Sequence, residues 1–173
     1  MFLNYIKDFF LKRILKNSLH NVKSSALGTP IQTVGLLVDE SYFFEKDNLV
    51  KELIANGILE KNIKIIAYRD TLKKNETYSH PTFGMKDLNW KAEITNSEVN
   101  DFINQKFDLL ISYYDVEKAI LLNITHNSKA QFKVGFSLID KRLNHLMINT
   151  NAENYKVFAH ELFRYLRILN KMK

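Results

Sequence analysis

The feature that most constrains this chain is an apolar run that stops abruptly at acidic residues. Residues 33–40 read TVGLLVDE, in which β-branched residues and leucines lead directly into two carboxylates. The pattern returns at residues 63–70 (IKIIAYRD) and 107–115 (FDLLISYYD), and each of these runs ends in an aspartate. Continuous apolar runs of this length are typical of parallel strands that helices cover on both faces. We therefore predict three parallel strands of one sheet.

Helical patterns separate these strands, and two further strands follow them. Residues 43–58, 97–106 and 116–127 have the apolar spacing of helices. Residues 130–138 and 143–150 read as strands, and only about five residues lie between them, too few for a parallel crossover. The predicted fold class is α/β, a three-layer Rossmann-like or flavodoxin-like sandwich of about five strands. It is mostly parallel, with an antiparallel hairpin at one edge and an extra amphipathic helix at the N-terminus.

The chain length of 173 residues suits one core, and we predict two parts. Residues 1–25 form a basic amphipathic helix, and residues 26–173 form a single α/β domain. Residues 21–30, which include Gly28 and Pro30, are predicted to connect the two.

The N-terminal helix, predicted over residues 2–20, has two apolar strips. The broader face consists of Phe2, Tyr5, Ile6, Phe9, Phe10 and Ile14. Leu11, Leu15 and Leu19 form a second strip, so the helix is imperfectly amphipathic. Two interpretations stay open. The helix packs on its own domain, or it lies on a membrane or a partner protein.

Positive charge is concentrated at the two ends of the chain, whose net charge is +6. Residues 1–25 hold five basic residues and one acid, whereas residues 151–173 hold five basic residues and two acids. Such asymmetry favours an anionic partner. We predict a non-catalytic interaction module whose basic terminal helices bind RNA in a ribosomal context or a membrane surface, alone or within a protein complex. The predicted partner-binding residues are Lys7, Lys12, Arg13, Lys16, Arg164, Arg167 and Lys171.

The acids at the strand ends support an alternative. Carboxyl ends of parallel strands share one edge of a sheet, which is where open α/β sheets bind ligands. Asp39, Glu40, Asp70 and Asp115 would then form an acidic site that holds Mg²⁺ in a small enzyme acting on a phosphorylated small molecule. The competing interpretation is that Asp39 and Asp115 cap the helices that follow them.

Several classes of site are absent from the sequence. There is no cysteine, so thiolate metal sites and disulfides are excluded. The turn after residue 40 lacks the glycines of a dinucleotide or phosphate loop. The five histidines have no metal-ligand spacing. No cofactor is expected for the interaction module, and Mg²⁺ is expected only under the enzyme alternative. No apolar run approaches the ~18 residues of a membrane span. Charged residues interrupt the N-terminal apolar stretch, unlike a signal peptide. We therefore expect a cytoplasmic protein, either free in the cytoplasm or peripherally associated with the membrane.

Residues 71–96 have no clear period and are predicted to be an irregular excursion with a short hairpin around 83–94. Lys86, Asp87 and Trp90 are candidates for a recognition surface. In the alternative interpretation, Phe83 and Trp90 plug the end of the sheet.

Four segments carry a resemblance to a known family: VGLLVDE (34–40), KDLNW (86–90), FDLLI (107–111) and KAQFKVGF (129–136). Through them the chain resembles an uncharacterised domain family of unknown function from Bacteroidota. The family implies a bacterial cytoplasmic protein and no assigned activity. A looser similarity is to response-regulator receiver domains, whose acid pair matches Asp39 and Glu40 and whose aspartate matches Asp115. Those domains need a lysine where this chain has Asn149 and Thr150, so the sequence argues against a receiver.

Overall fold

The computed structural model of the chain describes residues 2–22, 30–73 and 76–172. Part of the predicted connector, residues 23–29, lies outside the described residues. Over the described residues the elements are α1 (Phe2–Ser18), β1 (Val34–Asp39), α2 (Lys46–Ala55), β2 (Ile63–Tyr68), β3 (Thr82–Phe83), α3 (Ser97–Asn104), β4 (Leu109–Tyr113), α4 (Ala119–Asn127), β5 (Phe132–Phe136), β6 (Leu146–Ile148) and α5 (Tyr155–Ile168).

The strands of the described residues form one six-stranded sheet in the order β3-β2-β1-β4-β5-β6, and every neighbouring pair is parallel. Val34 of β1, for example, lies between Ile63 of β2 and Leu109 of β4. Every residue of β1, β4 and β5 is buried, because helices cover both faces of the sheet. The strand order reverses between β1 and β4, as in Rossmann-like folds. The predicted three-layer α/β fold is confirmed.

The predicted antiparallel hairpin at the sheet edge is wrong. β5 and β6 pair in parallel, with Val134 beside Leu146 and Phe136 beside Ile148. Both strands are shorter than predicted, so residues 137–145 are free to connect them. Because an extended residue spans about 3.3 Å, this connection is long enough to return along so short a strand without a helix.

The helices lie in two layers. α2 packs against α5 on one face of the sheet, and α1 and α3 pack against α4 on the other. This division follows from right-handed crossovers: the chain moves in opposite directions along the sheet from β1 to β2 and from β4 to β5. The two basic terminal helices, α1 and α5, therefore lie on opposite faces of the sheet.

α1 buries its narrower apolar strip. Leu11, Leu15 and Leu19 are part of the hydrophobic core, whereas Phe9 and Phe10 of the broader apolar face are exposed. Arg142, from the connection between β5 and β6, fixes the end of the helix. Its guanidinium donates to the carbonyl oxygens of Lys16 (3.0 Å) and Leu19 (3.3 Å).

The excursion over residues 71–96 contains the edge strand β3 and a 3-10 turn at Met85–Asp87. Leu88 and Ile94 form an isolated antiparallel bridge inside the segment predicted to be a hairpin. Phe83 is fully buried against the sheet, but Trp90 is exposed. The plug interpretation therefore holds for Phe83 and not for Trp90.

Candidate functional site

The acids at the carboxyl edge of the sheet are organised around a lysine. Lys118 precedes the first residue of α4, and its Nζ lies 2.7 Å from Asp39 Oδ2 and 3.0 Å from Asp70 Oδ1. Ser41 joins them, since its Oγ accepts from Lys118 (3.2 Å) and from the Asp70 N–H (2.9 Å). Asp39 and Lys118 meet where the strand order reverses, the usual ligand position in this fold. Here a protein cation occupies that position.

Two tyrosine rings enclose the Lys118 ammonium. Its Nζ lies 4.5 Å from the centre of the Tyr68 ring and 4.9 Å from that of Tyr42. Burial and the neighbouring Asp70 raise the pKa of Tyr68, which donates to Asp70 Oδ1 at 2.9 Å. Burial alone would raise the pKa of Asp70, but hydrogen bonds from Lys118 and Tyr68 outweigh it and lower that pKa. Asp70 is thus held as an anion and Tyr68 as a neutral donor.

Glu40 belongs to a second, separate ion-pair group. Its carboxylate lies 2.8 Å from Lys46 Nζ and accepts from Arg69 Nε at 3.0 Å. Burial opposes ionisation, yet the hydrogen bonds from Lys46 and Arg69 lower the pKa of Glu40. This group lines a polar pocket of about 210 Å³ together with His80.

Asp115 does not join the other three acids. Its Oδ2 accepts the N–H of Ala152 at 2.9 Å, and the Tyr113 hydroxyl donates to the Ala152 carbonyl at 2.7 Å. The segment before α5 is thereby attached to the end of β4. The predicted acidic site therefore divides into three places: Asp39 with Asp70, Glu40, and Asp115.

The predicted capping roles are also wrong. α4 receives its cap from another helix, because Asp8 Oδ1 of α1 accepts the Ala119 N–H at 2.7 Å. Asp39 instead accepts the Ser41 N–H at 2.9 Å within its own turn. The cause is distance along the chain: α4 begins four residues after Asp115, and α2 begins seven residues after Asp39.

The carboxyl edge does not have the character of a magnesium site. Mg²⁺ is usually held by one or two carboxylates that are free to coordinate it, with water or substrate oxygens completing its shell. Asp39, Asp70 and Glu40 point at lysine and arginine nitrogens instead. Within residues 2–22, 30–73 and 76–172, no three histidine or acidic side chains are grouped to hold a metal ion.

The predicted basic residues are mostly engaged within the protein. Lys7 is buried and donates to the Leu88 carbonyl, and Lys171 is buried with its Nζ 4.9 Å from the Phe132 ring centre. The others are on the surface: Lys12 pairs with Asp8, Lys16 with Glu117, and Arg164 with Glu161, while Arg167 donates to Asn56. Among the described residues, Arg13 forms no ion pair and is exposed.

The outward side of α1 exposes several large apolar side chains. We call it the outer face of α1, and it consists of the exposed residues Leu3, Tyr5, Phe9, Phe10 and Ile14. Lys12, Arg13 and Lys16 lie on the same side of the helix, and with Phe9 they line a groove of about 480 Å³. Trp90, 60 % exposed, lies beside the helix with its ring centre 5.7 Å from Lys7 Nζ. A broad apolar surface on a monomeric domain commonly marks an interaction site.

Comparison with known proteins places the chain in a family. A profile described as a family of unknown function (DUF6913) matches residues 7–169. The chain belongs to the DUF6913 family. No functionally curated protein and no solved structure matches it. The expected resemblance to an uncharacterised family is confirmed. In the described part of this DUF6913 chain, no helix is long and apolar enough to cross a membrane.

Sequence patterns alone missed the cations that lie at the carboxyl edge of the sheet in this DUF6913 chain. Lys118, Lys46 and Arg69 come from three different segments and meet the acids only in the folded sheet. One signal was available, because two acids at adjacent strand ends need compensating charge when buried.

Proposed function

We propose that this DUF6913 protein is a non-catalytic membrane-docking module that binds anionic bilayers through α1. The observation that carries the proposal is the outer face of α1, on which five large apolar side chains stay exposed although the opposite strip of the same helix is fully packed. Helices that lie in a membrane interface combine such an apolar surface with lysine and arginine at the level of the headgroups.

The cations on α1 favour an anionic bilayer over an uncharged one. Lys12, Arg13 and Lys16 flank the apolar side chains. Lys12 pairs with Asp8 and Lys16 with Glu117. Among the described residues of α1, Arg13 is therefore the exposed cation without an ion pair, and the apolar side chains carry most of the proposed contact. Tyr5 and Trp90 add amphipathic rings of the kind that prefer the interface between water and lipid. Because the cytoplasmic leaflet is rich in anionic lipids, we propose peripheral association with that leaflet.

RNA is the less favoured partner. RNA binding by charge needs cations that are free to contact phosphates, but most basic residues of α1 and α5 pair with groups of the protein itself. The two helices also lie on opposite faces of the sheet and so cannot form one basic surface.

The proposal predicts binding to vesicles that contain anionic lipid, with emission from the single tryptophan as the signal. Trp90 is exposed in the free protein, so entry of its ring into the interface should shift its emission to shorter wavelength. Binding should be weaker on vesicles of zwitterionic lipid, and sedimentation with the vesicles provides a second measurement.

The variant that tests the contact is Phe9→Ser/Phe10→Ser. The two rings are 55 % and 52 % exposed, so each leaves about 100 Å² outside the core. Full burial would contribute about 2.5 kcal/mol per ring, and burial to half depth about half of that. The expected loss of about 2–3 kcal/mol corresponds to about 30- to 150-fold weaker partitioning.

The matched control is Val157→Ser/Ile168→Ser, which removes two exposed apolar side chains from α5 on the opposite face. It should bind vesicles as the parent does. Equal loss in both variants, or no vesicle binding by the parent, would refute the proposal. Retention of the parent by RNA at low salt without vesicle binding would favour the nucleic-acid alternative.

A further inference from the structure

A pocket at the amino edge of the sheet is lined by several histidines and lysines. It has a volume of about 270 Å³ and lies among the end of α1, the end of α4 and the starts of β5 and β6. Its titratable lining residues are His20, His126, Lys129, Lys133 and His145. No described residue of its lining carries a carboxylate. This amino-edge pocket is separate from the outer face of α1.

Lys133 is the centre of the amino-edge pocket. The side chain is buried, and its Nζ donates to the carbonyl oxygens of Thr125 (2.6 Å) and His126 (3.0 Å) at the end of α4. An ammonium group has three N–H donors, so one remains without an acceptor among the described residues. No described carboxylate pairs with Lys133, and residues 1, 23–29, 74–75 and 173 include no aspartate or glutamate. The chain therefore supplies no acidic side chain as the counter-charge.

Stabilising the helix end explains only part of this arrangement. A lysine at the last carbonyls of a helix is favourable, which accounts for two of the N–H donors of Lys133. It does not explain why His126 and Lys129 are close to the same buried cation. Burial, and then Lys129, lower the pKa of Lys133 to about 8. Burial, Lys133 and His20 also lower the pKa of His126. Like charges are thus held together at a cost that an anion would remove.

The chemistry of the pocket selects the class of ligand. Its histidines are not grouped as metal ligands within the described residues. The Nδ1 atom of His145 already accepts a hydrogen bond from the backbone N–H of Lys133 at 2.9 Å. Lysine and histidine side chains around a small polar cavity are suited to an oxyanion, whose oxygens accept charge-assisted hydrogen bonds.

We propose that the amino-edge pocket binds the phosphate group of a small phosphorylated molecule, with Lys133 as the buried counter-charge and Lys129, His20 and His126 around it. An oxygen of the anion would accept the third N–H of the Lys133 ammonium, and the negative charge would offset the repulsion among the cations. Binding would therefore favour the protonated forms of His126 and Lys133 and weaken as the pH rises.

The test uses inorganic phosphate and sulfate as probes. Thermal unfolding and amide chemical shifts of the full chain are followed at constant ionic strength, with chloride as the reference anion. Both probes should stabilise the protein in a saturable way, with shift changes centred on residues 126–133. Sulfate does not titrate in this range, so its affinity should fall at least about tenfold between about pH 6 and about pH 9 as the pocket loses protons.

The first variant is Lys129→Gln/His20→Gln, which removes two exposed pocket residues without altering the core. Sulfate affinity at about pH 6 should fall at least about fivefold. Lys141→Gln/His160→Gln is the control, because it removes the same residue types from exposed positions elsewhere. Lys133→Met, whose folding is checked by its amide spectrum, should abolish saturable binding. The proposal is overturned if the parent responds to neither probe, or if the control weakens binding as much as the pocket variant.

Discussion

Replacing Lys118 by methionine tests whether a protein cation holds the carboxyl edge of the sheet together. The substitution keeps most of the apolar stem but removes the ammonium that lies 2.7 Å from Asp39 and 3.0 Å from Asp70. The Asp39 side chain is only 6 % exposed, whereas that of Asp70 is 46 % exposed. Asp39 would become a buried carboxylate without a cation, while Asp70 would be solvated.

The cost can be estimated from these two environments. Removing one partner of a buried ion pair destabilises a protein by about 3–5 kcal/mol, whereas a partly exposed pair contributes about 0–1 kcal/mol. Contacts of the ammonium with the Tyr68 and Tyr42 rings add roughly 0.5–1 kcal/mol at such a site. Together these contributions predict that Lys118→Met lowers the free energy of unfolding by about 4–7 kcal/mol, or about 2–3 M in the urea midpoint.

Urea unfolding at neutral pH measures the effect, and a second substitution identifies its cause. Asp39→Asn in the Lys118→Met background removes the uncompensated charge and should restore about half of the lost stability or more. If Lys118→Met is as stable as the parent, the reasoning from the buried ion pair is wrong. If Mg²⁺ stabilises the parent and this effect is lost on Asp39→Asn, the acids bind a metal and the enzyme alternative regains support.

Two further predictions concern other polar contacts. Asp8→Ala removes the group that caps α4 at Ala119, so the free energy of unfolding should fall by about 1 kcal/mol; the exposed Asp101→Ala is the control in thermal unfolding, and an equal effect of both would contradict the capping role. The second concerns acid stability. A hydrogen bond from Arg142 holds the pKa of Asp140 at about 2, below its ordinary value. The resulting stabilisation, roughly 1 kcal/mol after allowance for solvent screening, is present above about pH 4 and is lost as the pH falls towards about 2. Asp140→Asn should therefore be less stable than the parent at neutral pH. Between about pH 4 and about pH 2 it should lose less stability than the parent does. Parallel profiles of unfolding free energy against pH for parent and variant would disprove this.

The sheet was predictable because strands that are buried on both faces are encoded by continuous apolar runs in the sequence. The runs that became β1, β2 and β4 are apolar on both sides, and only strands covered on both faces need this pattern. The pairing of β5 with β6 was not predictable in the same way. Its direction depends on a difference of a few residues in strand length, and sequence patterns define strand ends poorly.

The candidate surfaces were only partly predictable for a different reason. Periodicity identified both apolar strips of α1, but it could not decide which one the domain covers. The narrower strip of Leu11, Leu15 and Leu19 is buried where α1 packs against α4, and the outer face of α1 is exposed. The cations of the carboxyl edge and of the amino-edge pocket come from segments that are distant in the sequence, so no local motif predicts that they meet. Such sites follow from topology and not from spacing.

The position of α1 also has a consequence for the order of folding. The groups that hold the first helix, Ala119 and Arg142, follow its contact residues by more than a hundred positions in the chain. At a translation rate of about 5–20 residues per second, roughly 5–30 s would pass between the synthesis of α1 and the synthesis of the residues on which it packs. Throughout that interval the leucine strip and the outer face of α1 would both be exposed. The leucine strip of α1 would thus be among the last apolar surfaces of the domain to be packed.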